Sequence, residues 1–421
     1  DVERSRGLGD VYKRQKLYEA KYTEPKDTLL AITINGEIST TFPTTNAYIG
    51  TVECTTGTGK VEWNGTKWVL TTSGITKGST KCNATFITKV PTFAETILAN
   101  NEVKTPITTP GAAISTASEA LLASTEDDYG TSYYFRGAVK NNYVQFANKC
   151  WRIVRVGGDG SVKLILHNDN TAGASNPCDA ANNSASAAFA RYSGTTYKSA
   201  FNSSYNDNAY VGFKYGTVGA STYEATHANT NNSTILTNLE TWYTNNLAAY
   251  ESVIDDNAWC NDKTNVTDTT FNLWNWSNVT GLGYGTNTTF YSATQRLVSK
   301  SGSAGGTSPS LKCTGELSKI NSKVGLITAD ELAFVGYAYG YELQNSTTYL
   351  QENATDTYWW SLSPYYFDGS YASVWNVGGD IGLFGNSYVY STFGVRPLIS
   401  LKSTTNATGN GTSNSPFIIS M

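Results

Sequence analysis

Two histidines, His167 and His227, are the only side chains whose ordinary pKa makes them bases near neutral pH. No nucleophile motif of the G-x-S-x-G type lies beside either, and a lone histidine without partners does not make a catalytic site. His227, just before a helix, reads as a surface or capping group. Paired carboxylates occur at Asp127-Asp128, Asp255-Asp256 and Asp330-Glu331. Neighbours in sequence are usually solvated loop charges or acids at a helix start. Asp127 and Asp128 could ligate calcium, but no spaced ladder of Asp and Asn follows them. Gly281-Leu282-Gly283 has neither the strand–turn–helix context nor the following lysine that phosphate binding requires. The six cysteines, Cys54, Cys82, Cys150, Cys178, Cys260 and Cys313, show no C-x-x-C spacing, which argues against zinc. The expectation is therefore no catalytic residue, no metal, no cofactor and no enzyme.

The stretch that could do chemistry of another kind is "YWWSLSPYYFDGSYASVWNVGGDIGLFGNSYVYSTFGVRPLISL", Tyr358 to Leu401. From Val324 to Val395 there is no Lys or Arg, while Asp330, Glu331, Glu342, Glu352, Asp356, Asp368 and Asp380 are acidic. A site here repels phosphate and sulfate. Between Pro364 and Gly394 the choice is mainly Tyr, Ser, Gly, Asp, Phe and Val. Tyrosine offers a large contact area at little rotamer cost, and Ser and Gly adapt their hydrogen bonding. An ordinary aromatic core accounts for Trp359, Trp360, Trp375 and the aliphatics after Gly394. It does less well with tyrosines set among Gly, Ser and Asp without steady alternation, which read as a binding surface.

The elements that must hold such a surface follow from patterning. The chain has 421 residues, room for two or three domains. Charged residues make up 15%, against about 25% in a typical soluble domain, and 28 tyrosines lead an aromatic content of 13%. That composition suits an extracellular β-rich protein. A net charge of -4 predicts no nucleic-acid partner. Residues 1–15, containing "DVYKRQ", read as a translated sequencing adapter, because the mosaic end of a common library transposon encodes those letters. The native N-terminus, with any membrane anchor, is then expected to be missing.

Residues 16–100 read as a small β-sandwich-like domain. In "KVEWNGTKWVL", Asn64-Gly65 predicts a two-residue hairpin turn, with Val61 facing Trp68 and Glu62 facing Lys67. Residues 101–125 read as a linker ending in a short helix, "STASEALLAS". The second domain, 126–421, opens with strands over Tyr143–Ala147, Cys150–Val156 and Ser161–His167, one face wet and one buried. A helix with Ser233 as N-cap buries Ile235, Leu239, Trp242 and Leu247. A second carries a capping box from Thr328 to Glu331. Residues 260–320 read as loops. Locality favours the bridges Cys54–Cys82 and Cys260–Cys313, whereas Cys150 and Cys178 could pair or stay free.

"SYYFRGAVKNNYVQFANKCWRIVRVGGDGSVKLI", "THANTNNSTILTNLETWY", "GLITADEL", "YWWSLSP" and "GVRPLISLKS" together resemble the C-type-lectin-fold variable proteins of bacterial and phage diversity-generating retroelements. The resemblance implies an α+β, C-type-lectin-like fold, shared with formylglycine-generating enzymes, after a small all-β domain. It also implies that a reverse transcriptase rewrites the 3′ end of the gene at template adenines. Asn codons altered at their adenines yield Tyr, Asp, Ser, Gly, Phe, Ile, Val or Ala, close to what fills residues 365–393. On this reading Tyr365, Tyr366, Asp368, Tyr371, Ser373, Asp380, Phe384, Ser387, Tyr388 and Tyr390 contact an unknown protein or glycan, on a bacterial surface or a phage particle. Trp359, Trp360, Trp375 and Gly394–Pro397 hold the frame. "VWNV" replaces the carbohydrate motif of calcium-dependent lectins, and no cysteine follows Cys313. The alternatives are a formylglycine-generating-type oxidase and an adhesin or phage tail lectin that does not vary.

Overall fold

A computed structural model describes residues 29–76, 79–256, 258–343 and 345–421. The adapter-like residues 1–15 lie outside the described residues. The architecture is mixed α+β and rich in strand. It divides into two units, residues 1–90 and 91–421.

In the first unit a parallel pair, Leu29–Ile34 with Lys81–Thr88, is flanked by Glu37–Ser39 and Tyr48–Cys54. Leu30, Ile32, Ala84 and Phe86 form its buried face, as period-2 alternation requires. The Thr58–Trp63/Trp68–Ser73 hairpin packs Val61, Trp68 and Leu70 onto that face. Its register differs from the expected one. Trp63 faces Trp68, and Glu62 faces Val69. The Asn64 side chain accepts from the backbone of Thr66 and Lys67 at 3.1 and 3.0 Å, so a four-residue loop replaces the two-residue turn. Cys54 and Cys82 are directly opposed across two strands and bonded.

The second unit begins at Pro91, so residues 101–125 are not a linker. They belong to its body: the predicted helix is the strand Ala120–Asp127, and Glu119 is fully buried with Arg136 at 2.8 Å. Thr92 and Glu95 form a capping box for the short helix Phe93–Ala99.

Two sheets carry the unit. The larger runs Ile254–Asp255, Leu398–Leu401, Val162–Asn168, Lys149–Val156, Tyr143–Phe146, Phe417–Ile419 and Ala407–Thr408, with Gly130–Gly137 and Ala120–Asp127 branching from Lys149–Val156. Its central strands have no wet face. Arg152 is completely buried, and Arg155 and Lys163 nearly so, because each meets a carboxylate: Glu352, Asp127 and Glu331, or Glu331. Asp330 and Glu331, expected at a solvated helix start, are buried for the same reason. Arg296 bonds Asp330 at 2.7 Å. The helix Thr234–Asn246 starts at Ser233 and buries Ile235, Leu239 and Trp242, with Leu247 buried at its end. Thr328 and Glu331 cap Ala329–Val335 reciprocally. Within the stretch read as loops lies a helix, Ser292–Leu297. Cys150–Cys178 and Cys260–Cys313 are both bonded.

The second sheet has the order Lys198–Ala200, Thr392–Gly394, Trp359–Phe367, Ala372–Val377, Phe384–Tyr388, and Thr289–Phe290 adds to one end of Trp359–Phe367. "GVRP" is where the chain leaves this sheet for the first. Arg396, fully buried, donates to Leu166 O at 3.0 Å and Leu350 O at 2.6 Å and lies over the Trp359 ring. Gly394 admits no side chain, since a Cβ would meet the Phe189 ring at 2.5 Å. Trp360 donates from Nε1 to Ser199 O at 2.9 Å.

Candidate functional site

The site is built on one end of the second sheet. Tyr366, Ser373 and Tyr388 are directly opposed across three strands. Opposed residues share a face, so they form a row across the sheet. Pro364 pairs with Val374 and Tyr366 with Ser373, leaving two residues, Tyr365 and Tyr366, against one. That is a β-bulge, and it turns consecutive side chains to the same side. The two rings lie 5.3 Å apart. Tyr365 is the inner of the pair, fully buried against Trp375 at 4.7 Å. Tyr366 is the outer of the two, at 8% exposed still buried and less deeply so than Tyr365 at 0%.

Beyond the strand the chain turns at Asp368. Its Oδ1 accepts from the backbone of Ser370 and Tyr371 at 2.8 and 2.7 Å. This fixes Tyr371 beside Tyr388, centroids 4.8 Å apart. Tyr388 stacks on Tyr390 at 5.8 Å, and Tyr205 stacks on Tyr371 at 5.2 Å and touches Tyr390 at 4.9 Å. Backbone bonds from Ala372 N to Tyr205 O and from Asn202 N to Val389 O hold the Tyr205 loop in place. On the other flank, the Asn272 side chain closes a turn by bonding both backbone groups of Trp276. Trp274 and Trp276 then lie 5.3 and 5.2 Å from Tyr366. Tyr366 and Tyr388 flank Ser373 in the row across the sheet, which sets the tryptophan flank and the tyrosine flank on one face. Tyr205, Trp274 and Tyr390 are 38%, 42% and 43% exposed, which makes this face an accessible patch. Burial and the neighbouring Tyr388 push the Tyr366 phenol up, so it stays protonated and can donate.

Of the ten residues expected to contact a ligand, Tyr366, Asp368, Tyr371, Tyr388 and Tyr390 gather here. The others do not. Tyr365 and Phe384 are core residues, with Phe384 packed on Trp375 at 4.6 Å. Ser373 is buried and donates to Asn386 Oδ1 and Ser387 O, both at 2.9 Å. Ser387 pairs with Val374, so its side chain faces away from Tyr388. Asp380 is exposed in the loop at the opposite end of Ala372–Val377, about 20 Å away at ~3.3 Å per residue. Tyr205, Trp274 and Trp276 are not among the expected contacts. Their signal is the same residue vocabulary, "FNSSYNDNAY" and "NLWNWSNVTGLGYG", far upstream.

The groups that could have been catalytic sit elsewhere. Both histidines are fully buried, His227 contrary to the surface position expected for it. Burial and the nearby Lys263 bring His227 down to about 3, and its Nε2 contacts Gly283 O at 2.8 Å. Burial, then Arg152 and Arg396, drives His167 well below its ordinary value. Burial lowers Lys263 to about 7, yet its ammonium bonds Lys214 O, His227 O and Asn229, a complete shell for a structural cation. Asp127 is taken by Arg155 at 2.9 Å. Among the described residues no group of three or more His, Cys, Asp or Glu is placed to hold a metal ion. None of their helices is long and apolar enough to cross a membrane. The three disulfides fit a secreted or extracellular protein.

No curated protein and no solved structure matches the chain. A family model described as "Domain of unknown function (DUF6273)" matches residues 257–403, a span that takes in Trp274, the Trp359–Phe367 strand, the tyrosines from Tyr366 to Tyr390 and Arg396.

Proposed function

We propose that the chain is an extracellular ligand-binding protein, displayed on a bacterial surface or phage particle. On this reading its second unit is a C-type-lectin-like domain whose outward residues are rewritten by a diversity-generating retroelement. It binds and does no chemistry. The observation that carries the reading is the division of labour within one sheet and its adjoining turns. Trp359, Trp360 and Trp375 are fully buried in the frame, while Tyr371, Tyr388 and Tyr390 join with Tyr205 in an aromatic rim beside Tyr366. Replacing an outward side chain there leaves the pairing of Trp359–Phe367 with Ala372–Val377 intact. Rigid scaffold with adaptable aromatic contacts is the physical arrangement of a paratope.

The test is genetic. The natural locus is sequenced in sister isolates, together with its flanks. The reading expects a reverse transcriptase gene, a near-copy of the 3′ end differing at adenines, and substitutions concentrated at positions 366, 368, 371, 388 and 390. Identical residues at those positions in every isolate would mark a fixed adhesin or tail lectin and overturn it. Substitutions spread evenly onto Trp359, Trp375 and Arg396 would do the same.

A further inference from the structure

The rings of the patch come from three separate segments, residues 199–213, 264–295 and 324–395, and none of the three contains a single Lys or Arg. Two of the cations that flank these segments are engaged in ion pairs. Arg296 is locked between Asp262 and Asp330, and Lys198 pairs with Asp356. The acids of the first two segments are also committed. Asp207 is buried and accepts from Ala209 N and Gly219 N, and Asp268 pairs with Lys300. Asp368 differs. Its Oδ1 holds the turn, while its Oδ2 has no hydrogen-bond partner among the described residues. It is half-buried at the base of Tyr371, close enough to act on the Tyr366 phenol. The patch therefore combines electron-rich ring faces, one carboxylate oxygen free to accept, and no positive charge on any segment that builds it.

Such a surface is complementary to a cation. Aromatic faces attract ammonium and guanidinium groups through the ring quadrupole, most strongly for planar guanidinium, which also stacks. A carboxylate beside the rings adds a charge-assisted hydrogen bond. We infer that the occupant of the aromatic patch is an arginine-bearing segment of another protein, its guanidinium laid on the Tyr371, Tyr388 and Tyr390 rings and its N–H groups donated to Asp368. The inference rests on the binding reading above and adds the chemistry of the partner to it.

The test uses the full chain. It is titrated calorimetrically with a hexa-arginine peptide, with the same peptide carrying citrulline, which keeps the planar head but not its charge, and with a neutral β-linked glucose hexasaccharide. Arginine peptide should bind at least about tenfold more tightly than the citrulline form. Tyr388→Ala and Asp368→Asn should each weaken it about fivefold or more, and Tyr388→Phe, which keeps the ring, should restore most of the loss. Asp380→Asn, at the far end of the hairpin, should leave binding unchanged, which separates the patch from general attraction to an acidic protein. Equal binding of the citrulline peptide, no binding of the arginine peptide, or binding indifferent to Tyr388→Ala overturns the inference. Tyr388-dependent binding of the hexasaccharide alone would replace the partner with a glycan and leave the binding surface standing. Arginine binding through Tyr388 in a locus that never varies would keep the inference and remove the retroelement.

Discussion

Replacing Glu331 by Gln isolates a single charge in the frame beneath the site. Glu331 is 3% exposed and uses both oxygens. Oε1 accepts from Arg155 Nε at 3.0 Å and Lys163 Nζ at 3.2 Å, and Oε2 accepts from Thr328 N at 3.0 Å. Burial by itself would raise its pKa, but Lys163 and Arg155 outweigh burial and hold it at about 2, against an ordinary 4.5. At roughly 1.4 kcal/mol per pH unit, that gap stabilises the folded state by ~3 kcal/mol at neutral pH. The folded value is the lower one, so the contribution is complete above 4.5 and is lost as pH falls through 4.5 toward 2. Gln retains one oxygen for Thr328 N, so the capping box survives, but its NH2 donor replaces the oxygen that accepted from Arg155 and Lys163. Lys163 then loses its carboxylate partner, while Arg155 keeps Asp127 at 2.9 Å; breaking a buried ion pair in this way typically costs about 3–5 kcal/mol. The helix concerned also donates from Ala329 N to Ser363 Oγ, which ties it to the Trp359–Phe367 strand. Urea unfolding, followed by near-ultraviolet circular dichroism at pH 7, 5, 4 and 3, reads both effects. Glu331→Gln should lower the stability of the second unit by ~3 kcal/mol at pH 7 and flatten its dependence on pH below 4.5. A loss under about 1 kcal/mol at pH 7, or parallel curves for the two proteins from pH 5 to 3, would show that this network is not what holds the helix.

Three further outcomes are expected. Trp360→Ala should cost about 3–5 kcal/mol in urea unfolding, because it removes a fully buried indole packed on Phe201 and Phe393 and bonded to Ser199 O. Tyr365→Ala should destabilise by a similar ~3 kcal/mol, whereas Tyr388→Ala should cost under about 1 kcal/mol and act on ligand binding alone, so the two variants must separate in a paired thermal melt and titration. The His227 ring, held at about 3, should show no chemical-shift titration between pH 5 and 8 by NMR. The unfolded chain takes up that proton near 6.5 and the folded chain does not, so this residue makes stability fall as pH drops from about 6.5 toward 3.

Local signals survived into the structure where a short-range interaction decides the outcome. Ser233 and Thr328 cap helices because their hydroxyls need only reach a backbone N–H three residues on. Bracketing strands followed from their runs of Trp, Leu and Ile. Long-range pairing defeated the same approach. Arg152, Arg155 and Lys163 look like a wet face until Glu352, Asp127 and Glu331, the two glutamates some 170–200 residues away in sequence, are folded against them. "SEALLAS" has helical propensity, yet Ala120–Asp127 pairs along its whole length with Gly130–Gly137. Half of the candidate site was misplaced because composition alone cannot say which side of a strand a residue takes. Tyr365 and Tyr366 share a type and adjoin, and only the register tells core from rim. Tyr205 and Trp274 join the patch from loops about 160 and 90 residues upstream of it, a proximity that no periodicity encodes.

The extra residue at Tyr365 has a bearing on how this protein can change. Excising that one position would let Pro364 and Tyr366 pair with Val374 and Ser373 in unbroken alternation, so every other side chain in the strand would keep its orientation. What would vanish is the lower storey of the ring stack, the prop between Tyr366 and Trp375. Lineages that lose or gain a codon here would therefore differ in the height of their aromatic platform while the strands on either side stay in step.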